Sequence, residues 1–234
     1  MLKTDGIVGF GETMNGRISS YLIDKLSSKH AVNKIDIGSD AVLKKGLLRF
    51  NVDRYDVEDV GNLCVLSMTG FWGFVKMETV VLASVTKEVP LFNTDSFSFG
   101  KQTVQIVELY DTRSVPGDGI LESACQAIKD EDADIEDYSG STGNYSAKLL
   151  SCSYGKKSKT ATARMTESAK KYVDLFAQEL ENAPFREAEV GRAKNAEFAD
   201  SLLKNGGPAV NKIRKMFGEE TAKRIIRDHM YGAD

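Results

Sequence analysis

Residues 78–112 read ETVVLASVTKEVPLFNTDSFSFGKQTVQIVELYDT. Three runs rich in β-branched and aromatic residues, 79–85, 91–99 and 103–110, are divided by Pro90 and by Gly100-Lys101. That pattern predicts three sequential antiparallel strands. In the middle run the period-two alternation puts Asp95 on one face with Phe97 and Phe99, and Ser96 and Ser98 on the other. A carboxylate on the apolar face of a central strand must pair, take up a proton or face a cavity, because burying it ionised and alone is costly. Asp95 is therefore the first candidate for function.

Working outward, residues 47–57 alternate Leu48, Phe50 and Val52 with Arg49, Asn51 and Asp53, as a half-buried strand does. A further strand is expected over 63–68, between turns at Gly61-Asn62 and at 70–73. Trp72, within that second turn, reads as a core or edge aromatic. Five or six strands are thus expected by residue 111, in an antiparallel meander, since parallel crossovers need longer connections. Helical spacing marks 18–28, 120–130, 166–182, 188–203, 210–217 and 221–230. An exposed loop is expected over 131–145, one more strand over 147–154, and a polar turn over 155–158. Helix, then strands, then helices describes an α+β chain: a three-layer α/β/α sandwich with a central, mostly antiparallel sheet.

At 234 residues and 41% hydrophobic content, the chain is read as a single domain over 1–234. Residues 1–16 carry Gly6, Gly9, Gly11 and Gly16, but the spacing misses the dinucleotide fingerprint and no strand precedes it. A flexible N-terminal segment is the expectation. The net charge of −3 gives no reason to expect nucleic acid. The charge is nevertheless segregated: residues 108–137 hold ten acidic and two basic residues, whereas 192–227 hold nine basic and four acidic ones. Cys64, Cys125 and Cys152 lie in separate segments and only His30 and His229 are present, so neither a disulfide framework nor a metal centre is expected. There is no 18-residue apolar run and no targeting segment, which points to a cytoplasmic protein without a membrane partner.

The run Val89-Pro90-Leu91-Phe92-Asn93-Thr94-Asp95, followed by VQIVELYDT, resembles the ferredoxin-dependent bilin reductases. In that family a strand carries a Leu-Pro-hydrophobic-Phe-x-x-Asp pattern whose Asp faces the bilin. The aromatic-rich helix around Tyr172, LLKNGGPAV and MFGEETAKRIIRDHMY extend the resemblance over residues 47–231. It implies an oxidoreductase with no tightly bound cofactor, in which reduced ferredoxin delivers single electrons to a linear tetrapyrrole such as biliverdin. The protein's own part would be to supply protons, a task suited to a carboxyl whose pKa is raised by an apolar surround.

On that reading Asp95 is the catalytic acid and Glu78 a second candidate, if register brings the two to one face. Phe97 would contact the pigment, and Lys156 and Arg164 would hold its propionates. Two departures stand out. Gly207 precedes Pro208 where the family commonly has Asp, a second proton donor, and residues 79–85 contain no His, which some members carry there. A non-catalytic tetrapyrrole-binding protein of the same fold, or an interaction domain without pigment, are the alternatives, and Asp95 as a purely structural carboxylate is the plain rival.

Overall fold

The structure, a computed structural model, describes residues 17–138, 148–206 and 208–233. The N-terminal segment and Gly207 lie outside these residues. Helix α1 (Ile18–Ser27) precedes two short strands, β1 (Val32–Ile35) and β2 (Val42–Lys45). Five long strands follow: β3 (Leu48–Val57), β4 (Gly61–Gly70), β5 (Val75–Ser84), β6 (Leu91–Phe99) and β7 (Gln102–Tyr110). After α2 (Ile120–Glu131), strand β8 (Tyr154–Ser158) completes an eight-stranded sheet in the order β1-β3-β4-β5-β6-β7-β8, with β2 also pairing with β3. Every pairing is antiparallel.

The C-terminal part is helical: α3 (Thr162–Asn182), α4 (Ala188–Asn205), α5 (Pro208–Phe217), α6 (Glu219–Lys223) and a widened π-helical segment, Arg224–Met230. Helices cover both faces of the sheet, as the alternation of its strands requires. On one face Leu63, Val80, Leu82, Phe92, Val107 and Leu109 pack with α1, α2 and α3. Phe92 meets Phe176 of α3 with ring centroids 4.9 Å apart. Burying one such ring stabilises the fold by roughly 1.5–3 kcal/mol. On the other face Phe50, Leu66, Met68, Val81 and Leu91 pack with α4, α5 and the C-terminal segment. The expected three-layer sandwich forms.

Several boundaries move. Strands β1 and β2 were not expected; they are four residues each and carry little alternation. The eighth strand lies at 154–158 rather than 147–154, so the stretch read as a polar turn is itself the strand. Only a bridge from Leu149 to Tyr110 remains of the earlier position. Within the expected loop, Asp132 is buried and accepts hydrogen bonds from Tyr154 (2.7 Å) and Ser168 (2.6 Å), while residues 139–147 lie outside the described ones.

Helix α3 keeps Met165, Ala169, Tyr172, Val173, Phe176 and Leu180 on one buried stripe and stops before Pro184. Its Tyr172 hydroxyl donates to the Cys125 carbonyl at 2.8 Å and lies 2.7 Å from that of Cys152, tying α2 and the segment before β8 to the core. Helix α4 meets the end of β5 at Gly191, where an added Cβ would stand 1.9 Å from the Val85 carbonyl oxygen. Only glycine allows that approach. Gly191→Ala is expected to lower stability by about 1–3 kcal/mol, the range for overpacking a close contact. A urea melt compared with Ala199→Gly, a helix substitution without this clash, checks it.

Candidate functional site

Register determines which side chains meet around Asp95. Thr79 of β5 and Ile106 of β7 stand directly across from it, and Asn93 stands across from Glu108. Because partners in register share a face, Thr79, Asn93, Asp95, Glu108 and Tyr110 all project towards the C-terminal helices. The Thr79 hydroxyl donates to Asp95 Oδ1 in a short hydrogen bond. The Asn93 amide Nδ2 lies 3.2 Å from Asp95 Oδ2 and 3.0 Å from Glu108 Oε2, donating to both. The Tyr110 hydroxyl donates to the same Glu108 oxygen at 2.8 Å. Glu108 Oε1 is buried and has no hydrogen-bond partner among the described residues.

This is a polar inlay in an apolar core. Tyr110 and Tyr231 both pack on Phe198, tilted and edge to face, with centroids 4.7 and 5.2 Å apart, and both are buried. Burial raises the Asp95 pKa, against the pull of the Thr79 and Asn93 hydrogen bonds. Burial and the nearby Asp95 charge push Glu108 up to about 7, although Tyr110 and Asn93 favour its ionised form. No described cation is bonded to either carboxyl. A proton on Glu108 removes both the buried charge and the repulsion between the carboxyls, so the pair is a store of protons near neutral pH.

Glu108 had been read only as the first of a run of acidic residues. Its period-two spacing from Val104, Ile106 and Tyr110 is the signal that places it inward on the Asp95 face.

The other expected residues are distributed differently. Phe97 shares the Asp95 face and is partly exposed, as is Met77 opposite it. Glu78 stands across from Ser96 and so lies on the other face. There it accepts hydrogen bonds from the Ser19 amide (3.2 Å) and hydroxyl (2.9 Å), capping the first turn of α1. It is not brought to Asp95.

Lys156 pairs in register with Gln105, again on the opposite face, and is buried with its ammonium on Asp137 (2.7 Å) and the Ile135 carbonyl (3.1 Å). Arg164 is bound to Asp132, Asp134 and the Glu131 carbonyl. Both cations are thus engaged within the fold, away from Asp95. No group of three or more His, Cys, Asp or Glu suited to a metal occurs among the described residues.

A cleft of about 720 Å³ opens on the face opposite Asp95, where Asn51, Ser67, Glu78, Ser96 and Gln105 form one polar cross-strand row. A smaller one of about 230 Å³ is lined by Ile106, Glu108, Leu149 and Tyr154 among others. Glu108 thus borders this cleft as well as the core.

The fold is shared with a solved structure of phytochromobilin synthase from tomato in complex with biliverdin. The likeness has a TM-score of 0.71 over 92% of this chain and 82% of that one, at 10% sequence identity. The sequence matches no family model and no curated protein.

The raised Glu108 pKa has a consequence for stability. Its folded value lies above its unfolded one, so the folded state holds the proton more tightly between about 4.5 and 7. Its contribution is fully present below the unfolded pKa and is lost as pH rises through about 7. The slope is at most about 1.4 kcal/mol per pH unit for one group. Glu108→Gln should remove that slope, so the parent's melting temperature, compared with the variant's, should decline from pH 4.5 to 7.5. Parallel pH profiles for the two proteins would mean that Glu108 is ionised throughout.

Proposed function

We propose that the protein binds a linear tetrapyrrole against the Asp95 face of the sheet and reduces it with single electrons from ferredoxin, the protein supplying the protons. The observation that carries this reading is the Asp95–Asn93–Glu108 group: two carboxyls on an apolar sheet face, one of them with a pKa near neutrality, and Asp95 partly open to its surroundings. The shared fold, with a neighbour solved in complex with biliverdin, supports the ligand class.

Reduction of one double bond consumes two electrons and two protons. A general acid must stand ready as each added electron makes the pigment more basic. On this reading Asp95 gives the first proton. Glu108, bridged to it through Asn93, is the second acid of this site, the position that Glu78 had been expected to fill. Both carboxylates left behind regain protons from water, Glu108 by way of the smaller cleft. Partly exposed Phe97 and Met77 offer apolar contact to a flat pigment beside Asp95.

A tetrapyrrole carrier without reductase activity is the second reading, favoured by Gly207 where the family commonly has Asp. Mixing with biliverdin, followed by addition of a reduced ferredoxin system, separates the two: both bind with a change in visible absorption, and only the reductase bleaches and shifts the bound band.

Asp95→Asn keeps the shape and the Thr79 and Asn93 contacts available while removing the transferable proton. It should bind biliverdin about as well as the parent and lose about 10²–10⁴-fold in turnover, accumulating a radical or partly reduced pigment. Normal turnover by this variant would remove Asp95 from the chemistry. Ferredoxin association is expected to use exposed Lys212, Lys215 and Lys223, since Arg214, Arg224 and Arg227 of the same segment are paired with Glu219, Asp40 and Asp200. It should weaken steeply as salt is raised from 0.01 to 0.15 M, over which the screening length falls from about 30 to about 8 Å.

A further inference from the structure

Three hairpin tips converge at one end of the sheet. Register puts Lys45 across from Leu48, Leu48 across from Gly70, and Val75 across from Phe99, so the β2–β3, β4–β5 and β6–β7 turns lie side by side. They carry the largest exposed apolar groups of the sheet: Leu47, Phe71, Trp72, Phe74 and Phe99, with Trp72 94% exposed. Phe74 and Phe99, from neighbouring tips, meet edge to face at 5.8 Å. Trp72 had been expected in the core or at its edge, and it stands clear of both.

The backbone holds it there in an unfavourable conformation. Phe71 and Trp72 have φ of 50° and 56°, the left-handed region that tight hairpins normally reserve for Asn and Gly. Two bulky aromatic residues in succession at such a tip break the local rule, and such exceptions concentrate where function requires them.

The charge around the tips is of one sign. Lys44, Lys45, Arg49, Lys76 and Lys101 are exposed, and none of them forms an ion pair among the described residues. Residues 41–52, 67–77 and 96–107, the parts of the three hairpins nearest their tips, contain no Asp or Glu. In a chain of net charge −3 this is a local reversal.

We infer that this end of the sheet is a docking surface for an anionic lipid bilayer, with Phe71, Trp72 and Phe74 entering the headgroup region and the surrounding lysines and Arg49 meeting lipid phosphates. Aromatic rings favour the interface between water and hydrocarbon, and each nearby cation adds attraction to an anionic leaflet. A protruding aromatic tip needs no matching pocket in a deformable bilayer, whereas an acidic protein partner would have to provide one for Trp72. The expectation of no membrane partner rested on the want of a spanning segment. No described helix is long and apolar enough to cross a membrane, and surface docking by hairpin tips requires none.

Trp72 is the only tryptophan, so its fluorescence reports this surface directly. With vesicles of phosphatidylcholine and phosphatidylglycerol the protein should co-sediment and its emission should shift to shorter wavelength. Brominated lipid chains should quench it. Pure phosphatidylcholine vesicles should bind far more weakly, and salt should reverse the binding. Lys45→Glu and Lys101→Glu leave the probe in place and should each weaken partitioning about fivefold or more. Trp72→Ser should melt like the parent and lose co-sedimentation. A water-exposed emission that anionic vesicles leave unchanged would overturn the inference. So would a shift produced by an acidic protein such as ferredoxin but not by vesicles, which would make the tips a protein dock.

Discussion

One amide nitrogen, Asn93 Nδ2, holds two carboxyl groups together on neighbouring strands. Everything proposed for this site follows from the cost of that arrangement. Two ionised carboxylates inside an apolar face, with no cation among the described residues bonded to either, would repel each other and forgo solvation. Uptake of a proton relieves both penalties at once. The hydrogen bonds from Thr79, Asn93 and Tyr110 offset part of the cost without abolishing it, because all three also stabilise the charged form. The result is a group whose proton is held at neutral pH and is still available to a stronger base placed beside it. A structural carboxylate satisfied by arginine would do the opposite, as Asp132 does beneath Arg164, where the guanidinium and hydroxyl donors keep its pKa low.

The two faces of the sheet have been put to different uses by the same alternation. Towards α1, α2 and α3 the strands bury Leu63, Val80, Leu82 and Phe92 and then turn polar in the row from Asn51 to Gln105. Towards the C-terminal helices they bury Leu66, Val81 and Leu91 around the carboxyl pair. The last segment is fastened to this second face through Asn62, whose amide Nδ2 lies 2.9 Å from the carbonyls of both His229 and Met230. A one-residue slip of β6 would carry Asp95 to the first face and Phe92 to the second, so the packing of Phe92 on Phe176 also fixes the orientation of the site.

What could be read from the sequence, and what could not, divides along physical lines. Strand β6 was legible to the residue because Asp95, Phe97 and Phe99 alternate with two serines between a proline and a glycine. Helix α3 was legible from its apolar stripe. Strand β8 was not, because Gly155 and Lys156-Lys157 have the composition of a turn; Lys156 is buried only because Asp137 and a carbonyl receive its ammonium. Glu78 and Asp95 could not be assigned to opposite faces without the register between β5 and β6, which depends on a turn of six residues. Glu108 was hidden by its neighbours in sequence: it opens an acidic run, whereas its bonding partners are Asn93 and Tyr110. Trp72 was misjudged because the reading assumed that a tryptophan between glycines would be covered, and a left-handed turn turns it outwards.

At 10% identity, what the likeness to phytochromobilin synthase preserves is a layered fold, and a fold does not by itself specify a reaction. Chemistry resides in residues that the fold alone would not require. Asp95 and Glu108 meet that test: an apolar pair at either position would complete the core at less cost, since replacing buried ionisable groups by hydrophobic ones is often neutral or stabilising. Under the proposed reading, the acids are both carried by the sheet, on adjacent strands, and no donor is required at sequence position 207. Such a site depends on strand register and not on the closure of a helix over the pigment. The sheet thus keeps its two acids in a fixed relation, while Phe198 and Tyr231 of the C-terminal part supply the apolar cover that raises their pKa values.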